Sequence, residues 1–307
     1  MTDVIRIGTR ASKLALAQAE IVRERLIAAH PHLTISIAAM TTAGDRELHK
    51  TLADWGYKGL FTKELEDALL IGEVDIAVHS MKDMPSELPS GLTIGAVLPR
   101  ADTRDAWVSA HYETMDALPK GAIVGTSSAR RAAQLLHIRP DVRIVELRGN
   151  VQTRLRKLEE NVASATFLAA AGLHRLNLAS HIRSYIEPAI MLPAVAQGAI
   201  GVECAAARGD VLALLEALND NETERCITAE RAYLLALDGS CRTPIAGLAE
   251  MENGQITLRG EVLSLDGRIR HTAQASAAAS DAERLGRALG EELRAKAGEA
   301  LLQQVPR

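Results

Sequence analysis

The chain has 307 residues, a length that suits two or three ordinary domains, and 47% of them are hydrophobic. That composition provides for buried cores and excludes a disordered chain. Aromatic residues make up only 3% and the net charge is −4, which excludes a general nucleic-acid binder because such proteins present basic surface and stacking side chains. No run approaches the roughly 18 apolar residues of a membrane span, and the start MTDVIRIGTR has no signal-peptide core.

The three cysteines, Cys204, Cys226 and Cys241, are an odd number at unrelated spacings. This pattern excludes a complete disulfide framework and contains no zinc-binding spacing, so no metal is predicted. We therefore expect a cytoplasmic protein, because thiols stay reduced there. Cys204 and Cys226 fall in apolar or helical runs and are expected to be inert core thiols.

Strands and helices alternate through the first hundred residues. Strands are predicted at Val4–Gly8 and Leu33–Met40, a helix at Leu60–Ile71, and two further strands end at Val78 and Leu98. A helical stripe also follows the first strand directly. This alternation predicts a mostly parallel, doubly wound sheet.

A polar segment follows each of the first two strands. Arg10 and Ser12 lie where the first strand runs into a helix N-terminus, whose free N–H groups and dipole favour an anion. The simpler alternative is that Ser12 only caps the helix and Arg10 is only solvated. The stretch from Thr41 to Gly59 has no periodicity, and a loop of that length in a compact domain is usually functional or mobile.

The stretch from Asp75 to Pro85 changes abruptly from a buried strand into Ser80, Lys82 and Asp83. Ligands of open α/β sheets bind beyond the carboxyl ends of the strands, so these polar side chains are candidate site residues. The alternative is a solvated loop with a local Lys–Asp pair.

A second α/β unit follows a polar break at 99–104, which is a candidate hinge. Strands are predicted at Ala122–Gly125, Val142–Leu147 and Thr166–Ala170, and each runs into a polar turn or a helix with arginines. For any one of them a solvated helix face is the simpler interpretation. Repetition at equivalent places favours a carboxylate-binding edge, because guanidinium groups bind carboxylates in a bidentate manner. Phosphate-binding loops of the known nucleotide motifs do not occur in the sequence.

The last third begins with a second break at 192–199 and a return strand at Ile200–Cys204. Cys241 follows a predicted helix at Glu222–Leu237 and lies among turn-forming residues, next to Arg242. The neighbouring arginine would favour a reactive thiolate. A loop cysteine without a role is the alternative.

After Pro244 the pattern becomes antiparallel. Strands at Ile245–Met251, Ile256–Leu265 and Arg268–Ala275 are separated by Asn-Gly and Asp-Gly, which are strong hairpin signals. One amphipathic helix is predicted from Asp281 to Leu302. These elements predict a small α+β domain.

Eight segments taken in order resemble the porphobilinogen deaminase (hydroxymethylbilane synthase) family over more than two hundred residues. They are IGTRASKLA, KGLFTKELE, AVHSMKDMP, GTSSARR, LRGNVQTRL, AAAGLHRL, LPAVAQGA and ERAYLLALDGSCRTP. The resemblance implies two doubly wound α/β domains of the periplasmic-binding-protein type and a C-terminal α+β domain with a three-stranded antiparallel sheet. Its domain bounds would be 1–99 with 199–217, then 104–193, and then 221–307.

The resemblance also implies a transferase that condenses four porphobilinogen molecules, with loss of ammonia, into the linear tetrapyrrole hydroxymethylbilane. It implies a dipyrromethane cofactor joined by a thioether to Cys241, and Asp83 as the catalytic carboxylate. A cytoplasmic monomer without nucleic-acid or membrane partners is expected. The matching cofactor- and substrate-binding positions are Arg10, Ser12, Lys58, Ser80, Lys82, Thr126, Ser127, Ser128, Arg130, Arg131, Arg148, Arg154, Arg175 and Gln197.

Two other functions compete with this one. A non-catalytic, two-lobed carboxylate-binding protein would explain the arginines but leaves Cys241 and Asp83 without a role. A cysteine phosphatase would need an arginine six residues after the nucleophile, and Gly247 occupies that position.

Overall fold

The computed structural model describes residues 4–42, 62–238 and 243–304. Contacts divide the chain into two units, each treated separately below. The first unit is Met1–Ala101 with Gly198–Glu224, and the second is Asp102–Gln197 with Arg225–Arg307. The predicted division into three domains stays a prediction.

The described residues form thirteen strands and nine α-helices. The strands are β1 (Val4–Arg10), β2 (Thr34–Met40), β3 (Ile76–Ser80), β4 (Leu92–Val97), β5 (Asp105–Ser109), β6 (Ile123–Gly125), β7 (Arg143–Val145), β8 (Ala165–Ala169), β9 (Ser184–Ile186), β10 (Ile200–Ala205), β11 (Ile245–Glu252), β12 (Gln255–Leu263) and β13 (Arg270–Ala278). The helices are α1 (Lys13–Ala29), α2 (Lys63–Leu70), α3 (Ala129–Ile138), α4 (Val151–Glu159), α5 (Ala170–Arg175), α6 (Gly209–Leu215), α7 (Asn221–Ala236), α8 (Ala282–Ala297) and α9 (Glu299–Leu302). None of these helices is long and apolar enough to span a membrane.

The first unit is built on a five-stranded sheet in the order β2-β1-β3-β10-β4. β1 is parallel to β2 and β3, and β10 returns antiparallel between β3 and β4. Side chains alternate along β3, so that Ile76 and Val78 join the core shared with α1 while Ala77 joins the core shared with α2. Both faces of the sheet are therefore covered, which confirms the predicted doubly wound arrangement.

The second unit contains a five-stranded sheet in the order β7-β6-β8-β5-β9. β6 is parallel to β7 and β8, and β5 runs antiparallel between β8 and β9. Trp107 and Phe167 pack edge to face in the core on one side of the sheet, with ring centroids 5.2 Å apart. Leu155 and Leu168 belong to the core on the other side.

The C-terminal residues of the second unit form the predicted antiparallel sheet, β11-β12-β13. Asn253 and Gly254 make the first hairpin turn, both with positive φ (51° and 75°). Gly267, with φ 71°, packs against the end of α3, where a Cβ atom would come within 2.5 Å of the Ala133 carbonyl oxygen. The Gly267 carbonyl lies 2.8 Å from His137 Nδ1. A glycine is therefore needed where this sheet meets α3.

Two details differ from the sequence-based predictions. The predicted helix from Asp281 to Leu302 is two helices, because Gly298 has φ 72° and ends α8. Strands β5 and β9 were not predicted at all. β5 begins at Asp105, directly after the polar segment that was interpreted as a hinge.

Candidate active site

Asp83, the predicted catalytic carboxylate, ends a short 3₁₀ turn, Met81–Asp83, that follows β3 directly. The Met81 side chain is buried, and the backbone N–H of Met81 donates to the Ala199 carbonyl at 3.1 Å. A Cβ atom at Gly201 would collide with the Met81 sulfur. Glycine at that position of β10 therefore lets Met81 anchor the turn, while the Asp83 side chain stays exposed.

A cavity at this edge of the first sheet is lined by four predicted site residues, Arg10, Ser12, Ser80 and Asp83. They come together because the carboxyl ends of the adjacent parallel strands β1 and β3 lie at the same edge. Lys82 belongs to the same 3₁₀ turn as Asp83. The prediction of a candidate site at this edge thus corresponds to a concave surface with mixed charge.

Helix α1 fixes two of the hydroxyl groups in this cavity. The Ser12 hydroxyl caps the helix by accepting the Ala15 N–H at 3.3 Å. Gln18 is a buried residue on the second turn of α1, and its Nε2 lies 2.8 Å from the Ser80 hydroxyl oxygen. Ser12 is thus a cap, as the simpler alternative stated, and it also lines the cavity.

A buried group of titratable side chains lies on the α2 side of β3, and the sequence patterns did not predict it. His79 Nε2 is 3.1 Å from Glu203 Oε2, and both side chains are buried. Burial raises the pKa of Glu66 on α2, and the charge of Glu203 adds to the rise. One carboxylate oxygen of Glu66 and one of Glu203 have no hydrogen-bond partner among the described residues. His79 also borders the cavity that contains Asp83.

In the second unit, Thr126, Ser127 and Ser128 form the turn between β6 and α3. The Thr126 hydroxyl accepts the Ser128 N–H at 3.1 Å, and the Ser128 hydroxyl caps the helix by accepting the Arg131 N–H at 3.4 Å. The Ser127 hydroxyl oxygen is buried and has no hydrogen-bond partner among the described residues. This turn therefore holds one hydroxyl group that the described part of the chain does not satisfy.

The next turn, between β7 and α4, carries Arg148 and Arg154. Asn150 caps α4 by accepting the Thr153 N–H at 2.9 Å. Arg148 Nε donates to a Glu146 carboxylate oxygen at 2.5 Å, and Arg154 Nε donates to the Gly149 carbonyl at 2.8 Å. Both arginines are thereby tied to the polar turn at the end of β7.

Arg175 ends α5, the helix that follows β8. Burial lowers the pKa of its guanidinium to about 10. Because β6, β7 and β8 are neighbouring parallel strands, the three turns that follow them lie at one edge of the sheet. The prediction of an arginine-rich edge therefore agrees with the strand order.

Three further predicted residues, Arg130, Arg131 and Gln197, share one buried carboxylate, that of Asp105. Arg130 Nη1 lies 2.8 Å from Asp105 Oδ2, and Arg131 Nη2 lies 2.7 Å from Oδ1. Gln197 Nε2 donates to Oδ1 at 3.0 Å. Burial opposes ionisation of Asp105, but the two guanidiniums hold its pKa well below the usual range. The remaining nitrogen of Arg131, Nη1, donates to the Phe167 carbonyl at 2.9 Å.

The predicted site residues thus fall into two groups, one in each unit. Lys58 and Cys241 lie outside the described residues, as does most of the predicted loop from Thr41 to Gly59. Asp105 and the group formed by His79, Glu203 and Glu66 are the polar residues that sequence reasoning missed. Asp105 could have been found from the short apolar run Ala106–Val108 that follows it, which is a weak strand signal.

Taken together, the fold and its strand ends define an α/β protein with two five-stranded sheets that each have an antiparallel strand in fourth place, one with an exposed carboxylate and the other with arginines at the carboxyl edge of its parallel strands. Residues 5–213 match the family model described as porphobilinogen deaminase, dipyromethane cofactor binding domain. Residues 224–295 match the model of the porphobilinogen deaminase C-terminal domain. The chain belongs to the porphobilinogen deaminase family, a family of transferases.

Relatives with the same name cover nearly the whole chain. Porphobilinogen deaminase of Paracoccus denitrificans is 55% identical over 295 residues, which are 95% of this chain and 94% of that protein. The enzyme of Chromobacterium violaceum is 50% identical over 95% of this chain and 94% of its own. Among solved structures, a putative methionine-binding lipoprotein from Bacillus subtilis has 12% identity and a TM-score of 0.44, covering 72% of this chain and 92% of that one.

Proposed function

We propose that this chain condenses four molecules of porphobilinogen head to tail, with loss of ammonia, into linear hydroxymethylbilane by extending a covalently bound dipyrromethane. The observation that carries this proposal is the match of both family models in the correct order along the chain. A non-catalytic carboxylate-binding protein is not favoured by that family membership.

The second unit has the donors that a dipyrromethane group needs. Such a group carries acetate and propionate side chains, and carboxylates are best held by guanidinium and hydroxyl donors. The buried Ser127 hydroxyl lacks a partner among the described residues. Arg130 and Arg131 carry two positive charges, and the carboxylate they share, that of Asp105, carries one negative charge. We assign Thr126, Ser127, Ser128, Arg130 and Arg131 to this group, and further carboxylate-binding positions to Arg148, Arg154, Arg175 and Gln197.

When bound, the dipyrromethane would supply the pyrrole carbon that attacks the first substrate, each added ring would supply the carbon for the next attack, and water would release the finished tetrapyrrole. Asp83 acts on the substrate: its carboxylate lies beside the pyrrole N–H and stabilises the positive charge that develops on the ring as ammonia leaves. The same carboxylate can pass a proton between the reacting groups. Its exposed position at the cavity lined by Arg10, Ser12 and Ser80 supports this role.

The other residues of the first group bind and orient. Arg10 and Lys82, with Lys58, offer positive charge to the acidic side chains of the substrate, and Ser12 and Ser80 offer hydroxyl groups. Cys241 is assigned the thioether bond to the dipyrromethane. We further propose a cytoplasmic monomer.

Intact-mass spectrometry of the purified chain tests the cofactor and its attachment together. The wild-type chain should be heavier than its sequence by two pyrrole units, and Cys241→Ser should lack this mass. Cys226→Ser, in which a buried cysteine of α7 is replaced, is the matched control and should keep the added mass. A wild-type chain of unmodified mass would contradict the proposal.

A further inference from the structure

Three residues that the family resemblance assigns to ligand binding converge on one residue that it does not single out. Asp105 is the first residue of β5, and its carboxylate contacts the side chains of Arg130, Arg131 and Gln197. β5 runs antiparallel to β8, with Asp105 opposite Ala169, so its first residue lies at the carboxyl edge of the parallel strands. Asp105 therefore sits among the turns that carry the predicted binding residues of this unit.

Asp105 cannot itself bind a ligand. Its side chain is 0% exposed; Oδ1 accepts hydrogen bonds from Arg131 and Gln197, and Oδ2 lies 2.8 Å from Arg130 Nη1. The side chains of Arg130 and Arg131 are each 6% exposed. Two guanidiniums and one carboxylate leave one positive charge in excess, which an incoming carboxylate can balance.

Backbone carbonyl groups also bind the same three side chains, among them the Phe167 carbonyl, which accepts from Arg131 Nη1 at 2.9 Å. Arg130 Nη1 also donates to the Leu192 carbonyl at 2.7 Å, and Gln197 Nε2 also donates to the Thr103 carbonyl at 2.8 Å. Gln134 on α3 holds Leu192 through both its N–H and its carbonyl. The arginines are therefore ordered before any ligand arrives, and such preorganisation lowers the cost of binding.

We infer that Asp105 is a positioning residue that presets Arg130, Arg131 and Gln197 for one carboxylate of the dipyrromethane or of the growing chain. This inference rests on the proposed function. It adds to that function a residue that acts only by positioning other residues. It also assigns one excess positive charge to this part of the site.

The first unit contains a matched control. Asp75 is also buried and also shared by two arginines, Arg6 and Arg208, at 2.9 and 3.1 Å. It lies immediately before β3, at the opposite edge of its sheet from Asp83. Its arginines are 43% and 33% exposed, so water can solvate them when the carboxylate charge is removed.

The test compares Asp105→Asn with Asp75→Asn, using intact-mass spectrometry for the share of chains carrying two pyrrole units, together with KM, kcat and thermal melting. Asp105→Asn should lower the loaded share at least about tenfold, because a hydrogen bond to a charged group is worth about that factor. In the chains that are loaded, KM for porphobilinogen should rise more than kcat falls. Asp75→Asn should melt at a lower temperature and keep wild-type loading and KM.

Asp105→Glu keeps the charge but displaces it, and serves if Asp105→Asn does not fold. We expect it to fold and to load less than wild type. Wild-type loading and KM in either folded Asp105 variant would overturn the inference. Failure of both to fold, while Asp75→Asn folds, would also overturn it, because Asp105 would then serve the core alone. An unloaded wild-type chain would instead contradict the proposed function, so the two failures are distinguishable.

Discussion

The two five-stranded sheets share one plan and differ in the side chains at the carboxyl edge of their parallel strands. In both, a parallel trio is joined by an antiparallel strand that is the fourth in the order. The first sheet presents an exposed carboxylate, Asp83, beside Arg10 and Lys82 at that edge, whereas the second presents arginines and, among its described residues, no exposed catalytic candidate. The comparison shows that the framework determines where the turns lie, and that the turn sequences determine which side chains they present.

The equivalence extends to the first helix of each sheet. α1 and α3 each begin after a serine cap, Ser12 and Ser128, and each carries a buried glutamine on its second turn, Gln18 and Gln134. Gln18 holds Ser80 at the end of β3. Gln134 holds both backbone groups of Leu192. The two amides therefore occupy equivalent helix positions, but one binds a side chain and the other binds a backbone segment.

The largest expected effect belongs to the carboxylate of the first sheet. Asp83→Asn should lower kcat about 10²- to 10⁴-fold, because charge stabilisation and proton transfer are both lost. The free energy of unfolding should change little, since the side chain is exposed. Ammonia release and denaturant unfolding measure the two quantities. Near-normal ammonia release would rule out the assigned role.

Neutralising an arginine of the second sheet should have a smaller effect on a different step. Arg154→Gln should reduce the loaded share or the yield of tetrapyrrole by about tenfold or more, because one charged donor to a carboxylate is removed. Arg156→Gln on the same helix is the control, since Arg156 is exposed and forms an ion pair with Glu160 at 3.6 Å. Equal product yields from the two variants would count against the carboxylate-binding edge.

The two equivalent glutamines should differ in their effect on stability. Gln134→Ala leaves the Leu192 N–H without its acceptor in a buried site and should lower the free energy of unfolding by about 1–3 kcal/mol. Gln18→Ala should cost about 1 kcal/mol, because the Ser80 hydroxyl borders a cavity and can be solvated. Denaturant titration of both variants checks the order, and a larger loss for Gln18→Ala would reverse the comparison.

The last prediction concerns only how stability depends on pH. Burial raises the pKa of Glu66, so its contribution to stability is complete below the usual carboxyl pKa and is lost as pH rises through the raised value. Asp105 has a lowered pKa, and its contribution is instead lost as pH falls. Glu66→Gln should therefore remove a slope of at most about 1.4 kcal/mol per pH unit above the usual value. Unfolding free energies from pH 5 to 8 with an unchanged slope would contradict this.

The strands and turns that carry repeated, local signals could be predicted from the sequence. Hydrophobic periodicity identified most strands of both α/β sheets, and Asn253-Gly254 fixed the first hairpin of the third sheet. β5 was missed because five residues next to a polar segment give little periodicity. Asp105 was missed because its partners lie 25 to 92 positions away in the chain, and a buried charge is identifiable only once those partners are in place.

The candidate site shows the same division between local and distant information. Asp83 and the arginine-bearing turns follow strands directly, so the sequence order places them at sheet edges. The pairing of His79 with Glu203 spans 124 positions and depends on β10 lying beside β3. Residue propensity and sequence spacing do not predict such a pairing, because it arises from tertiary packing.

The position of β10 between β3 and β4 has a consequence for how the chain matures during synthesis. The ribosome releases β1 to β4 first, but the edges of β3 and β4 stay unpaired until Ile200–Ala205 has emerged. All strands of the second five-stranded sheet lie between residues 105 and 186, so that sheet can close earlier. The N-terminal unit is therefore the later of the two to complete its sheet, and the nascent chain must keep two open strand edges from aggregating meanwhile.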